Sequence, residues 1–313
     1  MAGETMGLFK KNRVNIVISN RALRYTYYKN AKNTSLTFGE EELPIGVMKD
    51  GRVESRVALV KIVKKLVKSH KWSGSNIYFC VPDDTVVIRQ LQIPVTLTMN
   101  EAVSYVKTQL GTSIYLPFED PSIAIEFLEE EDEKRNLLLF AYPKEKIIEF
   151  EGAFKEAGLK SKAVDLTSPS VYRYYYKNRQ EKADGVLHIH WNLDALSLTT
   201  YRLDKAIFTR YMSNEVYEEK QELKEDEASQ VIDDNIREIT RIIDFYQYSI
   251  TKGEERINLL LVTGDFPYLH SVFKILEETV NIPIYKFEEE IPIKFIDALG
   301  LALKNGVHKG ETI

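Results

Sequence analysis

Val14-Asn-Ile-Val-Ile-Ser-Asn-Arg-Ala-Leu-Arg-Tyr-Thr-Tyr-Tyr-Lys29 alternates apolar and polar residues on both sides of a Ser-Asn-Arg turn, the signature of two strands joined tightly. A third strand is expected over 35–43. Residues 56–70 then switch to helical spacing, with Leu59, Ile62, Val63, Leu66 and Val67 on one face and Lys61, Lys64, Lys65 and Lys68 away from it. The short apolar run Ile77–Val81 closes the unit as a buried strand, and Cys80 within it reads as a small buried hydrophobe. The same rhythm returns at 185–191, 195–202 and 206–211. It continues into a stripe stepping through Ile232, Ile236, Ile239, Ile243, Tyr246 and Ile250, ended by Lys252-Gly253, and a strand at 257–262. Three strands, a helix and a strand therefore occur twice. Helices over 269–280 and 296–304, with a strand at 282–285 between them, complete the reading.

Between the repeats, residues 85–159 read as strand, helix, strand, strand, helix, followed by a strand at 162–164. That is a β-α-β-β-α-β unit inserted into the first half, with Thr98 and Asn100 as helix caps and the charged run Glu129–Arg135 as a solvated hairpin tip. The expected fold is α/β, a duplicated two-lobed architecture of the actin and sugar-kinase kind, with a ligand cleft between lobes. The first lobe is assigned 1–84, 160–182 and 294–313, the insertion 85–159 and the second lobe 183–293. The acidic stretch Glu215–Asp234 reads as a solvated connection, because like charges resist packing.

The chain's 313 residues bound the answer to about two domains of ~150 residues. No apolar run reaches the ~20 residues of a membrane span, and no export signal opens the sequence. One cysteine excludes a disulfide framework and fits a reducing compartment. A net charge of −5 argues against nucleic acid as a partner. The exception is the start: residues 1–32 carry seven basic side chains against Glu4, and Met6-Gly-Leu-Phe-Lys-Lys is suited to brushing anionic lipid or to simple solvation.

No phosphate-loop, dinucleotide-binding, nucleophile-elbow or HExxH motif is present. His188 and His190 share a strand face as half of a metal site, but no third ligand lies near them in sequence, so a structural role and no metal are expected. Tyr172, Tyr174, Tyr175 and Tyr176 read as a half-buried helix, and Asp83-Asp84 after Pro82 as a turn.

Set in order, Leu43-Pro-Ile-Gly-Val-Met-Lys-Asp-Gly-Arg-Val53, Val87-Ile-Arg-Gln-Leu-Gln-Ile-Pro94, Tyr115-Leu-Pro-Phe-Glu-Asp120, Arg237-Glu-Ile-Thr-Arg-Ile-Ile-Asp-Phe-Tyr246, Leu260-Leu-Val-Thr-Gly264 and Ala298-Leu-Gly-Leu-Ala-Leu303 resemble the PilM family from about residue 14 to 304. The resemblance implies an actin-like (ribonuclease H-like duplicated) fold similar to the division protein FtsA, with the insertion in the first lobe. It implies a place on the cytoplasmic face of the inner membrane in a type IV pilus machine. The implied partner is the short cytoplasmic tail of a PilN-like membrane protein, with other pilus-machine components and peripheral membrane contact as further candidates. Arg89, Tyr105, Gln109, Tyr115 and Leu116 are nominated for the tail-binding groove.

The same resemblance locates a nucleotide site that this sequence departs from. The family's G-I-D-I-G-S hairpin falls on Asn15–Asn20, placing Val17 at the aspartate and Ser19 at a glycine, while Arg24 replaces a lysine. The second hairpin, D-I-G-A-T-T, falls on His188–Leu193, where His190 and Trp191 are expected to fill the phosphate space and Asn192 lies beside them. The adenosine loop's paired glycines become Gly264-Asp265. The 15 glycines are ~5% of the chain against an average of ~7%, and the deficit falls on these loops. The expectation is a scaffold with no cofactor and no catalysis, its nucleotide residues Ser19, Asn20, Arg24, His190, Asn192 and Gly264 degenerate. The alternative is a nucleotide-dependent switch or ATPase using ATP with magnesium. A sugar or acetate kinase is disfavoured, because neither hairpin keeps an aspartate.

Overall fold

The computed structural model describes residues 13–28, 36–214 and 224–304. The first lobe is built on strands β1 (Arg13–Ile18), β2 (Ala22–Tyr27) and β3 (Thr37–Glu42), a minor hairpin β4 (Met48–Lys49) and β5 (Arg52–Val53), helix α1 (Arg56–His70) and β6 (Asn76–Val81). Its sheet has the order β10-β6-β1-β2-β3, in which β1, β2 and β3 are antiparallel and β6 and β10 (Lys160–Leu166) run parallel to β1. The second lobe repeats the plan. Strands β11 (Gly185–Trp191), β12 (Ala195–Arg202) and β13 (Lys205–Ser213) are antiparallel. Helix α5 (Glu225–Asp244) leads through a π-helical turn at Phe245–Ile250 to β14 (Leu259–Thr263), parallel to β11.

Period-2 alternation places each lobe's core. Val14, Ile16 and Ile18 of β1 pack with α1 and α3 (Lys144–Glu156), while Val17 turns to the other side against Ala298 and Leu301 of α7 (Ile296–Ala302). Leu187, Ile189 and Trp191 of β11 pack with α5 and α6 (Leu269–Thr279), while Val186 turns toward α4 (Thr167–Asn178) and α7. Helices α4 and α7 thus lie between the two sheets. They cross where Gly300 has no side chain: a Cβ there would meet the Ser170 carbonyl oxygen at 1.8 Å. Three of the four tyrosines of α4 are buried in this layer and Tyr176 is exposed.

The insertion differs from its expected extent. Strands β7 (Val87–Pro94), β8 (Pro121–Glu131) and β9 (Lys134–Pro143) form an antiparallel sheet of order β7-β9-β8, with α2 (Met99–Gln109) on one face. The last helix assigned to it belongs instead to the first lobe, as does the strand read as closing the β-α-β-β-α-β unit, which the boundary at 160 already gave to that lobe. α3 buries Ile147, Phe150, Ala153 and Phe154 in the α1 core, and β10 pairs with β6 from Lys160 opposite Asn76 to Leu166 opposite Val81. The inserted sheet therefore spans 87–143, not 85–159. The hairpin tip is shorter too, because the strands run on to Glu131 and Lys134. The insertion's other face meets the second lobe: Ile88 and Phe140 pack on the core holding Tyr201 and Ala206, and Lys205 pairs with Glu126.

Two further expectations change. Residues 225–234 are the first turns of α5 rather than a connection. Glu225, Asp226 and Glu227 sit at the positive end of its dipole, and Ala228 and Ile232 are buried; the rest of the acidic stretch, 215–223, lies outside the described residues. At 282–285 there is a single bridge, Leu260 opposite Ile284, since Pro283 has no N–H to extend a ladder.

Candidate functional site

The turns after β1 and β11 face each other across the cleft, where the resemblance places the phosphate hairpins. Ser19 Oγ accepts from the Ala22 N–H at 3.0 Å, and Asn20 Oδ1 accepts from the Gly51 N–H at 3.0 Å. Asp194, in the opposite turn, is buried; that burial and Asp265 raise its carboxyl pKa, against a hydrogen bond from Asn20 and the charge of Arg21. Of these contacts, the one from Asn20 to Asp194 links the first hairpin to the second.

Arg24 is 1% exposed and fully engaged. Its Nε donates to Glu40 Oε2 at 2.8 Å, Nη1 to Asp297 Oδ2 at 3.4 Å, and Nη2 to Asp265. Burial works against the charged guanidinium, but Asp265, Asp297 and Glu40 overcome it and hold its pKa above the ordinary value. Glu40 also takes Lys294 at 2.6 Å. Burial pushes the Asp297 carboxyl up to about 6 in spite of Arg24. Because Asp265 lies in the loop after β14, this cluster ties second lobe to first.

A hydrogen-bonded chain continues from Asp265, and its direction follows from one donor. The Asp265 backbone N–H donates to Asn192 Oδ1 at 3.2 Å, so the Asn192 amide nitrogen is the group 3.0 Å from His190 Nε2. His190 accepts there and donates from Nδ1 to Thr263 Oγ1 at 2.9 Å; Thr263 donates to His188 Nε2 at 2.8 Å; His188 Nδ1 donates to Ser168 Oγ at 3.2 Å. Ser168 donates to Asp83 Oδ2 at 3.0 Å, and Asp83 also accepts from the N–H groups of Thr167 and Ser168, capping α4. Both imidazoles are neutral in this arrangement. Burial pushes His188 down to about 3, and burial, His188 and Arg24 lower His190. Burial, against the Thr167 and Ser168 hydrogen bonds, raises Asp83 to about 6. Asp84 pairs with the buried Lys146.

Two openings adjoin this network. One, of about 40 Å³, is lined by Ser19, Asp83, His190, Asp194 and Ser197, whose Oγ is buried without a partner; it suits water. The other, of about 700 Å³, is lined by Arg21, Glu40, Glu42, Ile45, Leu193, Asp265 and Lys294. Its volume is that of a ligand site, but carboxylates outnumber cations on its walls. Trp191 is in neither. Alternation sends His188, His190 and Asn192 to the cleft and Trp191 to the opposite face, stacked on Phe266 at 5.1 Å in the α5–α6 core. The expectation that Trp191 fills phosphate space is corrected accordingly. Gly264, at φ 119°, is required by the Trp191 backbone, whose carbonyl oxygen a Cβ would meet at 2.0 Å.

The nominated groove residues lie on the α2 side of the inserted sheet. Arg89 lies between Val87 and Leu91 on the face of β7 that packs toward α2, and is exposed. Tyr105 and Gln109 are one turn apart on α2; Gln109 Oε1 accepts from Ser113 at 2.6 Å, shaping the turn that presents Tyr115. Tyr115 is 64% exposed, and Leu116 packs on the insertion core.

The sequence pattern described as Type IV pilus assembly protein PilM matches residues 18–214. The chain belongs to the PilM family. A structure titled as a PilM–PilN type IV pilus biogenesis complex superposes with a TM-score of 0.77 at 18% identity, over 94% of this chain and 98% of that one. A Bacteroides thetaiotaomicron protein with an actin-like ATPase fold follows at 0.53 and 13%, over 97% and 100%. The cytoplasmic domain of EpsL, an inner-membrane component of the Vibrio cholerae type II secretion system, is at 0.50 and 10%, over 94% and 96%. No curated protein matches the sequence. The fold is actin-like. Among the described residues of this PilM-family chain, no three His, Cys, Asp or Glu side chains are placed to hold a metal, and no helix is long and apolar enough to cross a membrane.

Sequence reasoning did not find Glu40, Asp297, Ser168 or Thr263. The signal for Ser168 lay in the topology: it follows β10 as Asp83 follows β6, and parallel neighbouring strands bring their ends together.

Proposed function

We propose that this chain is a non-catalytic scaffold of a type IV pilus assembly machine, cytoplasmic and peripheral to the inner membrane, that captures the short cytoplasmic tail of a PilN-like membrane protein through the inserted sheet. The observation that carries the reading is the use of Arg24. The cation that would meet phosphate is consumed by Glu40, Asp265 and Asp297, and Asp194 adds a buried carboxylate between the hairpins. Triphosphate entering there would face carboxylates at short range, a repulsion of several kcal/mol at low effective dielectric. The residues do not fit ATP with magnesium, and no catalytic step is assigned. Tail capture is supported by the likeness to the PilM–PilN structure and by exposed Arg89, Tyr105 and Tyr115, residue types that anchor peptides. The test is a titration of the purified protein with the tail peptide of the PilN-like protein encoded beside it. Absence of binding at ~100 μM, where even weak peptide capture registers, overturns the assignment.

One observation favours a nucleotide-dependent switch instead: the 700 Å³ opening, where Arg21 Nη1 is buried without a partner. A magnesium-dependent rise in melting temperature with ATP would establish it.

A further inference from the structure

Neither the cleft nor the inserted sheet uses the outer face of the first lobe. Helix α1 carries Lys61, Lys64, Lys65 and Lys68 and no acidic residue. It ends at Lys71, and the chain enters β6 at Asn76. Helix α3, beside it on the same sheet face, has Lys155 in its last turn, and the chain enters β10 at Lys160. The parallel register sets Lys160 opposite Asn76, and backbone bonds from Gly74 N to Gly158 O (2.8 Å) and from Lys160 N to Ser75 O (2.9 Å) join the two connections. Both helix ends and both strand starts therefore share one edge.

Lys61, Lys68, Lys71, Lys155, Lys160 and Lys162 are all exposed and make no ion pair among the described residues, whereas Lys64 and Lys65 are paired with Glu156 and Glu41. Local structure accounts for part of this. Lysines in a helix's last turn complement its dipole, which covers Lys68 and Lys155; lysines on an edge strand deter pairing with other chains, which covers Lys160 and Lys162. Neither explains Lys61 or Lys71, or why six unpaired cations gather on one side of a chain whose net charge is −5.

We propose that this face docks on an anionic lipid bilayer surface. Clusters of four to eight basic residues bind such surfaces by summed attraction to the headgroups. Lysine is well matched to them, since a point charge on a flexible stem follows a fluid array of phosphates, while the fixed bidentate contacts typical of nucleic-acid recognition fall to arginine. The nearby Arg52 and Arg56 are already paired with Glu145 and Glu156. Val57, 82% exposed, stands one turn before Lys61 on the same helix stripe and gives the face an apolar contact at the headgroup boundary. β1 also starts at this edge, with Arg13 opposite Asn76. The proposal does not rest on capture of a partner tail, since it concerns lipid alone.

The experiment is co-sedimentation of the full chain with vesicles of phosphatidylcholine, with and without phosphatidylglycerol, at low and high salt. Binding only to the anionic vesicles, weakened by salt, is expected. The combined variant Lys68→Glu, Lys71→Glu, Lys160→Glu and Lys162→Glu should lose at least tenfold in partitioning with an unchanged melting temperature. The pair Lys274→Glu and Lys286→Glu, on the second lobe, should leave partitioning unchanged. Equal binding to neutral vesicles, no binding to anionic ones, or equal loss in the second-lobe pair overturns the proposal. So does displacement from vesicles by poly-glutamate at equal charge, which would reassign the face to an acidic protein.

Discussion

The interlobe cleft and the α2 side of the insertion are both polar and both candidates for a ligand, yet they spend their polar groups differently. In the cleft, Arg24 is satisfied by Glu40, Asp265 and Asp297, and Asp83, His188, His190 and Asn192 by a chain running through Ser168 and Thr263. On the insertion, Arg89 makes no hydrogen bond or ion pair among the described residues and Tyr115 stands 64% exposed. A buried group left unpaired costs far more than an exposed one. The cleft network therefore contributes to stability and hardly to recognition, whereas the insertion's groups are free to recognise.

The comparison breaks most sharply at Arg24. Arg24→Met leaves buried carboxylates without their cation and should cost about 3–5 kcal/mol in urea unfolding; a loss under ~1 kcal/mol would show that the cluster is slack. The converse change is Arg89→Ala with Tyr115→Ala. Tail-peptide affinity should fall by about 2–3 kcal/mol, near a hundredfold, in a calorimetric titration, while unfolding free energy stays within ~0.5 kcal/mol.

Acidity sharpens the cleft side. A histidine held at about 3 when folded and near 6.5 when unfolded takes up its proton first in the unfolded chain, so it withdraws stability as pH falls below 6.5. Asp83, held near 6 against about 4 unfolded, acts in the opposite sense, because the folded state binds its proton first between those values. Replacing His188 with Asn removes the first effect alone. The variant's deficit relative to the parent at pH 7.5 should shrink by about 1.4 kcal/mol per pH unit below 6.5, read from urea curves at each pH. The smallest expected effect is none: millimolar Mg-ATP should not move the melting temperature, whereas ligand at 100 times its dissociation constant would add ~2.7 kcal/mol.

Periodicity made most elements legible. The β11 residues alternate between core and cleft, and the isoleucines of α5 mark its buried stripe, although Ile242 rather than Ile243 is the fully buried member. The same alternation already separates Trp191 from His190; each strand residue faces opposite to its neighbour. The insertion's end was not legible, because the apolar face of Lys144–Glu156 announces burial without saying against which sheet. Only the register of β10 on β6 decides that. The Arg24 cluster was equally hidden, its partners Asp265 and Asp297 being 241 and 273 residues away.

Helix α7 forms one wall of the first lobe: Arg13 donates to the carbonyls of Leu301 and Lys304, and Thr26 to that of Ala298. A ribosome adding ~5–20 residues per second delivers that helix roughly 15–60 s after β1. Until that helix emerges, the lobe made first lacks one wall, with the Val17 side of β1 uncovered. The first lobe therefore cannot close before the second has been translated, and the two lobes mature together rather than in the order they are made.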